Sequence, residues 1–184
     1  IILPKTQSFD FLATLAPMID FRNKLVPLIE TSRAIETVTQ IAAFKDVVGL
    51  FFGAADASAS LGCKLAWEPL LYARQRVVLA ASMFNLFTID APYFYIDKMA
   101  GLKEEAEAVK NLGFTGKAAI HPDQIDHINE AFSPTSEEKA EAKKVLEEYQ
   151  KSGGGAIKVD GQMIDEPIAE AMRLKITLGE DEKD

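Results

Sequence analysis

The chain has 184 residues, 48% of them apolar, and a formal net charge of −8. That is material for one sizeable core, and the acidity argues against nucleic-acid and anionic-membrane partners, neither of which attracts a protein of the same sign. The single cysteine, Cys63, allows no internal disulfide and no multi-cysteine metal site.

No window approaches about 18 uninterrupted apolar residues, and no basic-then-apolar leader is present. These features predict a cytoplasmic protein with no membrane partner. The chain opens without Met, inside what reads as a strand, so further sequence is expected before Ile1.

In chain order, the apolar run at residues 1–4 reads as a strand that delivers Lys5 at its end. Phe9, Leu12, Ala13 and Ala16 recur at helical spacing. The run Leu25-Val26-Pro27-Leu28-Ile29 is a second strand and ends abruptly in the carboxylate of Glu30. After it, Ala34, Ile35, Val38, Ile41 and Ala42 step by three and four, predicting an amphipathic helix with Thr31 or Ser32 as N-cap. The third run, residues 47–53, is apolar without alternation, which predicts a strand covered on both faces. It leads into Asp56, and residues 57–62 read as a loop of small residues.

Trp67-Glu68-Pro69 opens a long helix to about Phe84, with Pro69 near the first turn where its missing N–H costs little. Residues 86–89 form a fourth strand ending in Asp90-Ala91-Pro92, and Leu102, Ala106 and Val109 mark the next helix. Gly113 to Lys117 reads as the turn into a fifth strand, Ala118-Ala119-Ile120, which ends in His121. Five strand-helix units predict an α/β fold with a parallel sheet, on which five polar tip residues converge along one rim.

Past residue 132 the pattern changes, which divides the chain into domains at 1–132 and 133–184. Thr135-Ser136-Glu137-Glu138 is a capping-box pattern, and Ala142, Val145, Leu146 and Tyr149 give its helix one apolar stripe. Ser152-Gly153-Gly154-Gly155 reads as a hinge, Asp160-Gly161 as the turn of a hairpin, and Asp165-Glu166-Pro167 as the start of a last helix before an acidic tail from Glu180.

No G-x-G-x-x-G or P-loop turn follows any strand, which lowers a nucleotide-binding reading. Glu30 and Asp56, at the tips of neighbouring strands, offer only hard oxygen ligands and suit Mg²⁺ or Mn²⁺. A strand-end acid also caps helices or pairs with lysines, so each has a purely structural alternative. Asp165 as an N-cap, Lys5 as a solvated strand-end lysine, Asp90 as a structural acid and His121 as a donor to a backbone carbonyl are the corresponding alternatives there. His127 reads as a surface helix residue.

Five segments in order resemble the motifs of the citrate lyase β-subunit and malyl-CoA (citramalyl-CoA) lyase family of the HpcH/HpaI aldolase superfamily. They are Pro27-Leu28-Ile29-Glu30-Thr31, Gly53-Ala54-Ala55-Asp56 with Leu61-Gly62, Ile89-Asp90-Ala91-Pro92, residues 113–125, and residues 160–167. The resemblance implies a TIM-type (β/α)8 barrel, of which this chain holds the last five strand-helix units, plus a C-terminal helix-hairpin-helix extension. It implies a homo-oligomer, a trimer or hexamer, that cleaves or forms a carbon-carbon bond beside a CoA thioester. By resemblance Glu30 and Asp56 match the metal ligands and Asp165 the acid, donated to a neighbouring subunit, while Lys5, Asp90 and His121 are candidates for contact with the acyl-CoA thioester and 2-keto acid. The family's substrate-binding arginine, from an early strand, has no counterpart in this chain. Gln7 and Ala55 stand where members commonly carry acids, leaving the site less acidic than usual. An aldolase on free 2-keto acids and a non-catalytic barrel subunit are the competing readings.

Overall fold

The apolar runs fold as a parallel sheet of five strands, β1 (Ile2–Leu3), β2 (Val26–Ile29), β3 (Gly49–Phe52), β4 (Phe87–Asp90) and β5 (Gly116–Lys117), ordered as in the sequence. A parallel neighbour requires a crossover connection, and helices supply it each time. These are α1 (Phe9–Leu15) between β1 and β2, α2 (Ser32–Glu36) and α3 (Val38–Ala42) between β2 and β3, α4 (Ala54–Leu61) and α5 (Trp67–Ser82) between β3 and β4, and α6 (Met99–Leu112) between β4 and β5, while α7 (Ile125–Phe132) follows β5. The computed structural model describes residues 1–19, 24–153 and 155–177, so Gly154 of the glycine run and the tail from Glu180 lie outside the described residues.

Register decides which strand residues share a face. Leu28 pairs with Phe51, Phe51 with Ile89, and Ile89 with Gly116, so three apolar side chains form one row across the sheet. The alternate residues Ile29, Leu50 and Phe52 are fully buried in the main core with Val38, Ile41, Leu70 and Val77 of the helices. The row Leu28, Phe51 and Ile89 stands outside that core and is only half-buried. The unalternating apolar run at 47–53 thus has one face under helices and the other less covered, where its composition predicted cover on both. Gly49 opposes Phe87 in the register, and a side chain there would run into the Phe87 ring.

Three local expectations shift. The helix after β2 breaks at Thr37, whose side chain donates to the Arg33 carbonyl and to the carbonyl of Gln7, so α2 and α3 are separate turns; Thr31 rather than Ser32 caps α2. Residues 57–62 are not a loop: Ala54–Leu61 is helix α4, closed by Gly62 in the left-handed conformation. The fifth strand comes earlier than its apolar residues suggest, at Gly116–Lys117. Thr115 pairs with Thr88, and the Ala118 N–H donates to the Asp90 carbonyl. Lys117, not His121, is therefore the tip residue of β5.

Where β4 and β5 end, the chain buries charge. Asp90 is 0% exposed. Its carboxylate accepts from Arg74 Nε at 2.8 Å and from Lys117 Nζ at 2.8 Å, while the same ammonium donates to the Ala91 carbonyl and to Glu105 Oε1, each at 2.7 Å. The Arg74 guanidinium also lies against two aromatic faces, 5.2 Å from the Phe52 centroid and 4.8 Å from that of Trp67. Its Nη1, which has no hydrogen-bond partner, is buried with them. One carboxylate thereby ties β4 to β5, α5 and, through Lys117, α6.

The chain divides into two compact units, Ile1–Phe132 and Ser133–Asp184. The second contains α8 (Ser136–Lys151), the antiparallel hairpin β6 (Ile157–Val159) and β7 (Gln162–Ile164), and α9 (Glu166–Thr177). Thr135 and Glu138 form the capping box, and Asp160 and Gly161 both take positive φ, the condition of the tight hairpin turn. Its own core is Val145, Tyr149, Val159, Ile164 and Ala169.

Removing one member of a buried ion cluster leaves the others unpaired in a poor solvent. Asp90→Ala is therefore expected to lower the unfolding free energy by about 3–5 kcal/mol. Lys103→Ala, which removes the exposed Lys103–Glu130 pair, is expected to leave stability nearly unchanged. Urea unfolding of the two variants checks the contrast, and equal small losses would show that the Asp90 cluster carries no special weight.

Candidate metal and substrate site

Glu30 immediately follows β2, and its position is set by the burial of Ile29 before it and by the Thr31 cap of α2 behind it. It is only 4% exposed. Gly53, one strand over, makes room for it: a Cβ there would stand 2.6 Å from Glu30 Cβ and 3.0 Å from Oε2, so any side chain at 53 would push the carboxylate aside. Asp56 lies in the first turn of α4 rather than at the strand tip itself, where a negative charge also favours the helix N-terminus.

Lys5 joins the two acids. Its backbone takes φ +56°, the left-handed region that non-glycine residues rarely occupy. That turn aims its N–H at Glu30 Oε1, 2.7 Å away, while its side chain reaches Asp56 Oδ2 at 2.9 Å. Burial raises the Glu30 pKa above the ordinary carboxylate value; the Lys5 N–H opposes this and the adjacent Asp56 carboxyl adds to it. The Lys5 hydrogen bond and charge hold Asp56 below the usual range, and Asp56 in turn raises the Lys5 ammonium. The first three polar tip residues thus meet at one point on the rim.

Two adjacent carboxylates, one buried and one open to solvent, suit a hard, strongly hydrated ion such as Mg²⁺, which takes one or two protein carboxylates and completes its octahedron with water and substrate oxygens. No group of three or more His, Cys, Asp or Glu side chains placed to hold a metal occurs among the described residues, so a closed zinc-type cage is not formed there. The Lys5 ammonium on Asp56 places one cation at this point of the rim already.

The other candidate residues are placed differently. Asp90 is consumed by Arg74 and Lys117 and presents no surface to a ligand. His121 is partly exposed on the loop after β5, its Nδ1 accepting from the Asp123 N–H at 3.3 Å, not donating to a carbonyl. His127 lies half-buried on α7. Asp165 belongs to the second unit, where Oδ1 accepts from the Ile168 N–H at 3.4 Å and caps α9. Gln7 and Ala55 are both exposed.

Sequence reasoning did not find Arg74, Lys117 or Gln124. Gln124 is fully buried; its Oε1 accepts from the Ile120 N–H and its Nε2 donates to the Tyr93 carbonyl, both at 2.9 Å, so it staples the loop after β4 to the loop after β5. A signal existed for Arg74, which sits on the stripe Leu70, Ala73, Val77, Ala80 and Ala81 that the α5 period buries, and a charge on such a stripe demands a buried partner. The most spacious cavity described, about 860 Å³ along Phe9, Ala13, Ala16, Phe44, Lys45 and Asp46, lies before β3 at the opposite strand ends from Glu30, and its lining is mostly apolar.

Comparison with known proteins agrees with the motifs. The sequence profile of the family described as HpcH/HpaI aldolase/citrate lyase matches residues 12–122. The mitochondrial citramalyl-CoA lyase of Homo sapiens is 34% identical over 203 aligned positions, covering 97% of this chain and 59% of the human protein. A citrate lyase subunit beta-like protein of Mycobacterium tuberculosis is 33% identical, covering 91% and 62%. The chain thus spans about three fifths of the length of these curated relatives. Among solved structures, CitE from Mycobacterium tuberculosis in complex with magnesium, acetoacetate and coenzyme A superposes with a TM-score of 0.86 at 32% identity, covering 97% of this chain and 67% of that one. RipC from Yersinia pestis gives 0.71 at 42% identity, covering 74% and 65%. With the family profile matching more than half of its residues, this chain belongs to the HpcH/HpaI aldolase/citrate lyase family.

Proposed function

We propose that this chain is the metal-bearing part of a Mg²⁺-dependent carbon-carbon lyase that cleaves a 3-hydroxyacyl-CoA, of the citramalyl-, malyl- or citryl-CoA type, into acetyl-CoA and a 2-keto acid. The observation that carries the reading is the juxtaposition of Glu30, after β2, and Asp56, in the first turn of α4 after β3, both held by Lys5, through its backbone N–H and its ammonium respectively. The relatives add chemical direction: one bears the name citramalyl-CoA lyase, and another was solved with magnesium, acetoacetate and coenzyme A.

The same reading makes the sheet an arc of a (β/α)8 barrel. The half-covered row Leu28, Phe51 and Ile89 supports this, because a barrel interior is filled by such residues from every strand. Carboxylates at the C-terminal strand ends are then where barrel enzymes place their chemistry.

Glu30 and Asp56 would hold the ion, which when bound supplies Lewis-acid polarisation and a template for the keto and carboxylate oxygens of the 2-keto acid. In the cleavage direction the substrate hydroxyl gives its proton to solvent, the carbonyl forms, and the electron pair of the broken carbon-carbon bond moves onto the thioester as an enolate. Asp165 is the acid that protonates the enolate carbon, giving acetyl-CoA. Lys5 and His121, both on the rim with exposed side chains, are placed to meet anionic groups of the substrate. Asp90 acts indirectly, by fixing the β4 and β5 rim through Lys117.

Calorimetric titration of the full-length protein with Mg²⁺ tests the ligands. Glu30→Gln and Asp56→Asn should each weaken binding by more than about tenfold, the cost of losing even a partner that only supports a ligand. Unchanged affinity in either variant removes that residue from the site.

Incubation with Mg²⁺ and citramalyl-CoA or malyl-CoA should release pyruvate or glyoxylate together with acetyl-CoA. Cleavage of free 2-keto-3-deoxy sugars with none of the thioesters would select the aldolase reading instead, and no metal binding and no turnover of either would select the non-catalytic subunit.

Asp165 lies in the second unit, beyond a glycine-rich run, so the reading includes its donation to a neighbouring subunit of a homo-oligomer. Glu30→Gln spoils the metal site and keeps the acid; Asp165→Asn does the reverse. Co-assembled oligomers of these two inactive variants should regain part of the activity, and mixed assemblies as inactive as either parent would exclude a shared site.

A further inference from the structure

Lys5 makes two contacts with two different atoms, and they have different characters. The N–H to Glu30 comes from the backbone, is short at 2.7 Å, and is held by a left-handed turn that a lysine adopts only under strain. The Nζ contact to Asp56 is made by the free end of a flexible stem, with both side chains more than half exposed, at 64% and 52%. One grip is part of the fold; the other is a surface ion pair.

The acceptor in that second contact, Asp56 Oδ2, belongs to the carboxylate that a divalent ion would share with Glu30. We infer that Lys5 is a tethered resident cation of this carboxylate pair, displaced from Asp56 by the divalent ion and thereby released toward an anionic group of the substrate. The inference rests on the metal reading of the site and extends it.

Charge and reach both support the exchange. With Lys5 in place the three groups Glu30, Asp56 and Lys5 sum to one negative charge when ionised. A dication on the two carboxylates cancels their charge, so the pair no longer attracts the ammonium, and takes its acceptor. The backbone N–H keeps its bond to Glu30 throughout, so the ammonium swings about a fixed anchor at the rim rather than drifting into solvent. An exposed pair of this kind competes only weakly: breaking it is worth about 1.5- to 5-fold in an equilibrium, enough to tune metal affinity and not enough to block it.

The competing role is that Lys5 merely orients Asp56, and the two roles predict opposite signs. In calorimetric titrations of the full-length protein with Mg²⁺ or Mn²⁺, Lys5→Met keeps the N–H and loses the charge. Lys5→Gly also keeps the N–H and relieves the left-handed turn. Both variants are expected to bind the ion about 1.5- to 5-fold more tightly than the wild type. In the wild type without substrate, acetylation of Lys5 by an amine reagent, read by mass spectrometry, is expected to speed up when the ion is added. Equal or weaker metal binding in both variants, or a Lys5 reactivity unchanged by the ion, overturns the inference while the metal reading stands. A wild type that binds no divalent ion overturns both together.

Discussion

The carboxylate of Asp90 is the point on which the arrangement of the rim depends. It is removed from water completely and saturated by Arg74 and Lys117, whose own second partners are aromatic rings on one side and Glu105 with a backbone carbonyl on the other. Burying charges costs several kcal/mol per ion, about what a close, fully hydrogen-bonded partner returns, so the cluster contributes specificity of placement more than net stability. What it specifies is the meeting of β4, β5, α5 and α6 in one register. Gln124 extends the same logic outward, fixing the two loops that leave those strands.

The neighbouring cluster on the same rim has the opposite character. Glu30 is buried, yet Asp56 and Lys5 reach into solvent, and none of the three is as fully saturated as Asp90. A closed ion cluster is inert because no incoming group offers better partners than those present. An open one, whose ion pair stands half in solvent, leaves an acceptor within reach of an incoming cation, as the proposed displacement of Lys5 requires. The rim thus pairs a closed cluster at β4 and β5 with an open one at β1, β2 and β3, and the proposed metal site belongs to the second.

Much of this was legible along the chain. The alternation of apolar runs with helical periods, the capping box at Thr135, the Asp160-Gly161 turn and the helix start after Asp165 all depend on residues a few positions apart, and each formed where the pattern placed it. Local signals failed where two of them conflicted. Ala118-Ala119-Ile120 looks more strand-like than Gly116-Lys117, yet pairing with Ile89 and Asp90 selects the latter. Small residues after Asp56 suggested a loop, and α4 formed because alanines are good helix formers and the first turn carries an acid.

The sequence by itself determined the α/β class, the strand order's raw material, the family and the two acids at the rim, because hydrophobic period and motif spacing are properties of short stretches. The tertiary structure alone decided which charges are buried and which remain free. Lys5 finds Asp56 across 51 residues, and Asp90 finds Arg74 and Lys117 across 16 and 27. A tip residue such as Asp90 and one such as Glu30 look alike in a row of letters. Their difference lies in the partners that strand register brings within hydrogen-bond reach, and electrostatic energy in a poorly polarisable interior depends on those distances, not on sequence neighbours.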